Sequence, residues 1–439
     1  MNKQYAFYID AERCIGCFTC AMACKNQYHQ PETVVWRQVY PIKKEIYPHR
    51  ERAFYSLACN HCENPTCLNV CPVVAYTKRD ADGIVVHEQE KCIGCGNCLL
   101  HCPVYDTIAI DYGRSPALGG RGVGMLAVTE GLDEAVDRGL YLCTQCQLCE
   151  DACPAAVGAP AIIETLRRRA YREGKMVEPA RVIMEVIKEH GTPYGEDLGD
   201  LPEPPGRADT VVYVGCQERR SGDPDLPAAR RILDRLGIDH AFVDERCCQA
   251  LTALLGGDRD PEAIEHNRRA IIAAGAQRVV TLCPTCAHWL ERDLEGTGIQ
   301  VMPFIELIAR ADLPASHEGV VTYHDPCDLG RKSGHGTMGF DAPRRAIEAT
   351  GATLREMPRS REESKCCGGG GGLRATYPAL SVAMAKERMQ EIRGTGAEYC
   401  LTDCPSCVHN LSNALKRKDG VRIMTTTRWL DHILEEGAT

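Results

Sequence analysis

The chain has no run of eighteen apolar residues among its 439, so no membrane-spanning helix is expected. Its first residues, MNKQYAFYIDAERC, hold no apolar leader core and no twin-arginine signal. That points to a cytoplasmic chain, or one held at the inner face of the membrane by a partner. Positive charge is not in excess; the net charge is −9, so no nucleic-acid partner is suggested. No flavin, nicotinamide or molybdopterin fingerprint is present, so a partner must supply two-electron cofactor chemistry. The stretch GRSPALGGRGVG at 113–124 has neither a flanking strand nor a Lys-Ser/Thr end. It reads as a loop and not as a phosphate cradle.

What is abundant is cysteine, 27 residues of it. Secreted disulfide proteins are short, and this chain is long, so thiolate metal ligands explain the number better. Four groups occupy the first part. They are Cys14, Cys17, Cys20 and Cys24; Cys59, Cys62, Cys67 and Cys71; Cys92, Cys95, Cys98 and Cys102; and Cys143, Cys146, Cys149 and Cys153. Groups one, three and four are spaced C-x2-C-x2-C-x3-C, and group two has a two-residue insertion. Three cysteines on a tight loop clasp one cubane, and the fourth reaches across to another. Sixteen thiolates therefore predict four 4Fe–4S clusters. One group alone would also suit a zinc knuckle.

After a Pro/Gly-rich linker at 191–209 comes a repeat. Strand-like runs at 211–215, 240–243 and 278–282 alternate with helical segments and lead to Cys216, Cys247-Cys248 and Cys283-Pro-Thr-Cys286. The second copy runs through VVTYHD at 320–325, TLREM and EYCLTD. It leads to Cys327, Cys366-Cys367-Gly368-Gly369 and Cys404-Pro-Ser-Cys407. Matching cysteines are 111 to 121 residues apart. The fold class expected is α+β: a ferredoxin-like domain at 1–190, then two α/β lobes with mainly parallel sheets, 210–312 and 313–439. Each cysteine falls where a strand ends, the binding edge of such sheets. Adjacent cysteines do not easily bond to each other, but both reach one metal centre. The glycine run from Gly368 to Gly372 permits close backbone approach, whereas Gln249 puts a side chain at the matching place in the first copy. Cys400 is left over and reads as a core thiol.

The pattern C…CCG…CxxC resembles the cysteine-rich CCG domain of the heterodisulfide reductase family. That resemblance implies five thiolates holding a non-cubane 4Fe–4S cluster that works on sulfur substrates. Residues 5–112, with Cys14-Ile-Gly-Cys17, Cys59-Asn-His-Cys62 and Lys91-Cys92-Ile-Gly-Cys95, resemble the iron–sulfur β subunit of the dimethyl-sulfoxide-reductase family of molybdenum enzymes. Group four is similar instead to the ferredoxin module of heterodisulfide reductase subunits. The first likeness implies that groups one and four share clusters; the second pairs three with four. Asp328 stands where the reductase family has a histidine.

These readings converge on an iron–sulfur electron-transfer subunit of an oxidoreductase complex. It would carry four cubanes and one or two non-cubane clusters. Its partner by resemblance is a molybdopterin, flavoprotein or membrane quinone-reactive subunit. Cys327, Cys366, Cys367, Cys404 and Cys407 are the catalytic candidates for thiol or disulfide chemistry, with Gly368 and Gly369 beside the cluster. Two alternatives stand: a relay with no chemistry of its own, and a zinc-stabilised C-terminal half.

Overall fold

The computed structural model describes short pieces of the first 119 residues, and then 120–151, 158–195, 203–221, 225–332 and 337–436, with residues 198 and 201. The chain divides into two compact units, Met1–Cys95 and Gly96–Thr439.

In the first unit two antiparallel ribbons are described. β1 (Gln38–Ile42) pairs with β2 (Ala53–Leu57), and β3 (Tyr76–Lys78) with β4 (Val85–His87). Arg79 N–H donates to the Ile84 carbonyl at 2.9 Å and closes the second ribbon.

The second unit opens with helices Gly120–Thr129, Leu132–Arg138, Ala159–Arg172 and Glu178–His190. The first corrects the expectation of a loop over 120–124, while 113–119 lie outside the described residues. Glycine there permits packing rather than disorder: a Cβ on Gly124 would sit 2.9 Å from the Ile162 side chain of the third helix. Glu178–His190 starts on proline at its first turn and ends at Gly191 in the left-handed region, the usual punctuation of a helix.

Two four-stranded sheets follow. In the first, β5 (Thr210–Tyr213), β6 (His240–Phe242), β7 (Arg278–Thr281) and β8 (Gln300–Pro303) lie in the order β6-β5-β7-β8. In the second, β9 (Val320–Tyr323), β10 (Thr353–Leu354), β11 (Tyr399–Leu401) and β12 (Arg422–Met424) lie in the order β10-β9-β11-β12. Every pairing in both sheets is parallel. The runs TVVY and VVTY are buried throughout or nearly so, as helices covering both faces require. β8 and β12 go beyond the strands expected. Each is a short edge strand, QVMP or RIM, whose state is decided by the ladder it joins.

The two lobes pack through one apolar layer. Val212, Val280, Phe304 and Ile305 of the first meet Val321, Tyr323, Leu401 and a fully buried Trp429 of the second. Burying each large side chain contributes about 1.5–3 kcal/mol. Polar links lace the same seam: Thr425 Oγ1 donates to Asp225 at 2.7 Å, and Thr285 Oγ1 to Asp328 at 3.0 Å. Among the described residues no helix is long and apolar enough to cross a membrane.

Candidate metal centre

The strand order places the site. In each sheet the chain runs outward in both directions from the first and third strands, leaving a crevice beyond their carboxyl ends. Cys216 follows β5, Cys247-Cys248 follows β6, and Cys283 follows β7; Cys327, Cys366-Cys367 and Cys404 do the same in the second sheet. Cys283 and Cys404 cap helices Pro284–Asp293 and Pro405–Ala414, whose first turns carry Cys286 and Cys407. The positive end of each helix dipole thus faces thiols that must ionise to bind metal.

Each lobe gathers its five thiols into an arc, with matching order. In the first, neighbours in hydrogen-bonding reach run Cys216, Cys247, Cys248, Cys286, Cys283; the Cys248 and Cys286 sulfurs are 3.4 Å apart. In the second they run Cys327, Cys366, Cys367, Cys407, Cys404, with Cys367 and Cys407 at 3.2 Å. Backbone N–H groups donate to these sulfurs: Gln249 to Cys247 at 3.4 Å, Gly368 to Cys366 and Gly369 to Cys367 at 3.3 Å. None of the described cysteines is in a disulfide.

Crowding sets the acidity of the arcs. The bond from Cys216 raises the Cys247 pKa well above the thiol value, and that from Cys247 raises Cys248 to about 12. Cys366 is raised by Cys146 and Cys327, while Cys367 is lowered by Cys366 and Cys407. Full ionisation of five adjacent sulfurs, buried or half-buried, needs a polycation among them. A cluster of irons meets that requirement, so the donor set fits the group. Cys400 lies in β11, where burial raises its thiol to about 12, as suits a core side chain.

Both arcs line one cavity of about 280 Å³, together with Tyr194, His324, Asp328 and Arg374. His324 sits within reach of Cys367 and Cys407. Its Nδ1 accepts from Arg388 Nε at 3.1 Å, so the ring proton is on Nε2, available to Cys367, with which the ring hydrogen-bonds. Asp328 feels burial first, yet the Lys332 ammonium at 3.0 Å holds its carboxyl below the usual range. It is therefore an ion-paired carboxylate.

Group four is part of this centre. Cys146 lies against Cys366, in one buried cluster with Cys327, Leu373 and Met384. Its loop turns through Gln145 and Gln147, both at positive φ. Buried Arg167 donates to the carbonyls of Leu140, Cys143, Leu254 and Gly371, so one guanidinium ties this loop, the first lobe and the glycine run together. The glycine run is packed by the chain itself: a Cβ on Gly371 would lie 2.4 Å from Thr144, and one on Gly368 2.6 Å from the Ser381 carbonyl. Gln249 points away from the cavity, its Oε1 accepting from the Asp260 N–H at 2.7 Å, which corrects the idea that its side chain narrows the first site.

Cys17 is exposed in the first unit. Cys14, Cys20, Cys24, Cys59, Cys62, Cys67, Cys71, Cys92, Cys95, Cys98, Cys102 and Cys153 lie outside the described residues, as does the sharing of clusters between groups. His324, Arg167, Arg331 and the second role of Cys146 were not singled out in the sequence. His324 alone had a signal, its place in His324-Asp325-Pro326-Cys327.

A family model for the cysteine-rich domain, CCG, matches residues 210–291 and 321–412. Models for 4Fe–4S dicluster domains match 51–114 and 88–157. The chain is 28% identical over 378 residues to one subunit of the dihydromethanophenazine:CoB--CoM heterodisulfide reductase of Methanosarcina barkeri, covering 76% of this chain and 91% of that one. It is also 28% identical over 366 residues to one subunit of the fumarate reductase (CoM/CoB) of Methanothermobacter marburgensis, covering 77% and 71%. One polypeptide of the anaerobic dimethyl sulfoxide reductase of Escherichia coli is 40% identical over 111 residues, 24% of this chain and 54% of that one. The chain thus joins 4Fe–4S dicluster domains to paired cysteine-rich CCG domains, the make-up of an iron–sulfur electron-transfer protein, and it is similar to subunits of oxidoreductase complexes.

Proposed function

We propose that residues 1–190 carry four cubanes, that the lobes at 210–312 and 313–439 each hold a non-cubane 4Fe–4S cluster, and that thiol–disulfide chemistry takes place in the cavity between the arcs. The observation that carries this reading is the cavity itself, lined by ten thiols in two matching arcs. Such clusters, when bound, accept and release electrons one at a time. A disulfide needs two electrons and two protons to become two thiols, and two facing sites match that need.

The chain's own residues do the rest. Cys327, Cys366, Cys367, Cys404 and Cys407 form the arc that Cys146 touches, so a cluster they held would be the one nearest group four and the first to take up its electrons. Gly370, Gly371 and Gly372 form one cavity wall without side chains. The buried arginine clamp holds the group-four loop against that wall. The partner is a subunit carrying a molybdopterin, flavin or quinone site; the relatives are named as subunits of a heterodisulfide reductase, a fumarate reductase and a dimethyl sulfoxide reductase, which fits a chain that works with others.

The test is elemental. The full chain, purified without oxygen, is expected to hold about twenty-four irons, four for each of six clusters, with matching sulfide. Stoichiometric zinc, or about sixteen irons, would refute clusters in the lobes.

A further inference from the structure

The two arcs are alike in their own contacts and unlike in what surrounds them. Four residues after its first cysteine each lobe has an arginine, Arg220 after Cys216 and Arg331 after Cys327. Arg220 is exposed, and its guanidinium stacks over Tyr194, 4.7 Å from the ring centre. Arg331 turns inward. Its Nε donates to the Cys146 carbonyl at 2.8 Å, and its Nη1 to the carbonyls of Ser364 at 2.9 Å and Glu362 at 3.1 Å. Its Nη2 is buried and, among the described residues, has no acceptor.

These acceptors are neutral, so the hydrogen bonds fix the guanidinium without cancelling its charge. Asp151 is a carboxyl within reach of its field, and so are the thiols of Cys146, Cys327 and Cys366. Where the second lobe has Ser364, two residues before the cysteine pair, the first has Glu245. That carboxyl accepts from the Val214 and Gly215 amides at 2.8 and 2.7 Å, and Arg219 reaches the carbonyl of the same residue. Each side thus has an acid near a cation, Glu245 at Arg219 and Asp151 at Arg331; what differs is that Arg220 is exposed while Arg331 carries its Nη2 buried beside the thiols.

We infer that Arg331 makes the two cysteine-rich sites unequal, holding the second lobe's site at the higher reduction potential, so that an electron arriving past Cys146 settles there before the first lobe is reduced. This rests on the reading that both lobes hold iron–sulfur clusters, and it adds their order. Each electron added to a thiolate-held centre adds negative charge, and a buried cation stabilises that charge far more than an exposed one. Potentials of such centres also rise with hydrogen bonds to their sulfurs, and Arg331 Nη2–H is a buried donor with no partner among the described residues. Arg331 acts through the thiols it faces and is a positioning residue.

The experiment is a paramagnetic-resonance redox titration of the full chain purified without oxygen, with the two lobes' signals assigned by Cys248→Ser and Cys367→Ser. The signal lost in Cys367→Ser should have the higher midpoint. Arg331→Gln should lower that midpoint and leave the signal lost in Cys248→Ser where it was. Arg331→Lys keeps the charge without the planar fork and should recover most of the difference. A merely structural arginine would loosen the loop without moving one midpoint selectively. The inference is overturned if the first lobe's midpoint equals or exceeds the second's in the unaltered chain, or if Arg331→Gln moves both or neither. Should Arg331→Gln lose its iron, the unaltered chain and Arg331→Lys decide, and a reversed order in either overturns it. Zinc in place of iron would instead remove the reading beneath it.

Discussion

At Gly371 a φ of +62° and a virtual Cβ only 2.4 Å from Thr144 coincide, so both backbone and space demand glycine. Gly370, one residue earlier, has its nearest neighbour at 3.5 Å, an ordinary contact. Gly371→Ala is therefore expected to cost about 1–3 kcal/mol through overpacking, and Gly370→Ala a small fraction of that. Thermal unfolding of the two variants side by side measures the difference; equal midpoints would show that the Thr144 loop does not press on the run. From sequence the five glycines were legible as a place of close approach, but not what approaches. Thr144 is more than 200 residues away in the chain, and no local spacing announces a contact of that range. Gln249 carries the same lesson. Its side chain was legible, but its rotation toward Asp260 was not.

At the scale of elements, helix Ala159–Arg172 holds the centre together through one side chain. Arg167 is fully buried and meets four carbonyls from three parts of the second unit, while its guanidinium lies 5.0 Å from the Tyr141 ring centre. Lysine cannot copy a planar fork, so Arg167→Lys strands buried carbonyls at about 1–3 kcal/mol each. The group-four loop should then lose its hold, and the chain should retain about four fewer irons than the unaltered protein, one cubane's worth. Iron analysis checks this; full iron content would show that the loop is held by other means. The helix itself was legible, since residues 161–190 set apolar and charged positions at helical spacing, and so were the strands beside the cysteines, because buried parallel strands are uniformly apolar. Which helical residue turns inward as a clamp was not legible, since arginine in an amphipathic segment ordinarily faces solvent. β8 and β12 were missed for a related reason: a three- or four-residue edge strand has too little pattern of its own.

At the scale of the molecule, the repeat was legible as two copies but not as two walls of one cavity. Cysteine spacing fixes which sulfurs form an arc; the facing of the arcs depends on the apolar seam around Trp429 and on links such as Ser406 Oγ to Gln217 Oε1 at 3.1 Å. That facing alters the expectation for substrate chemistry. If only the second arc met a sulfur substrate, removing a first-arc thiol would leave the encounter unchanged. In a cavity that both arcs line, a small disulfide would meet both sites at once. The oxidised full chain, incubated with a small thiol, is therefore expected to give a new paramagnetic signal that is lost in Cys367→Ser and altered in Cys248→Ser. Cys367→Ser removes the sulfur that bridges Cys366, Cys407 and His324, and so breaks the arc that Cys146 reaches. Cys248→Ser breaks the opposite arc between Cys247 and Cys286. A signal identical in shape and intensity in Cys248→Ser would confine the chemistry to the second lobe, and a chain giving no thiol-dependent signal at all would be a relay.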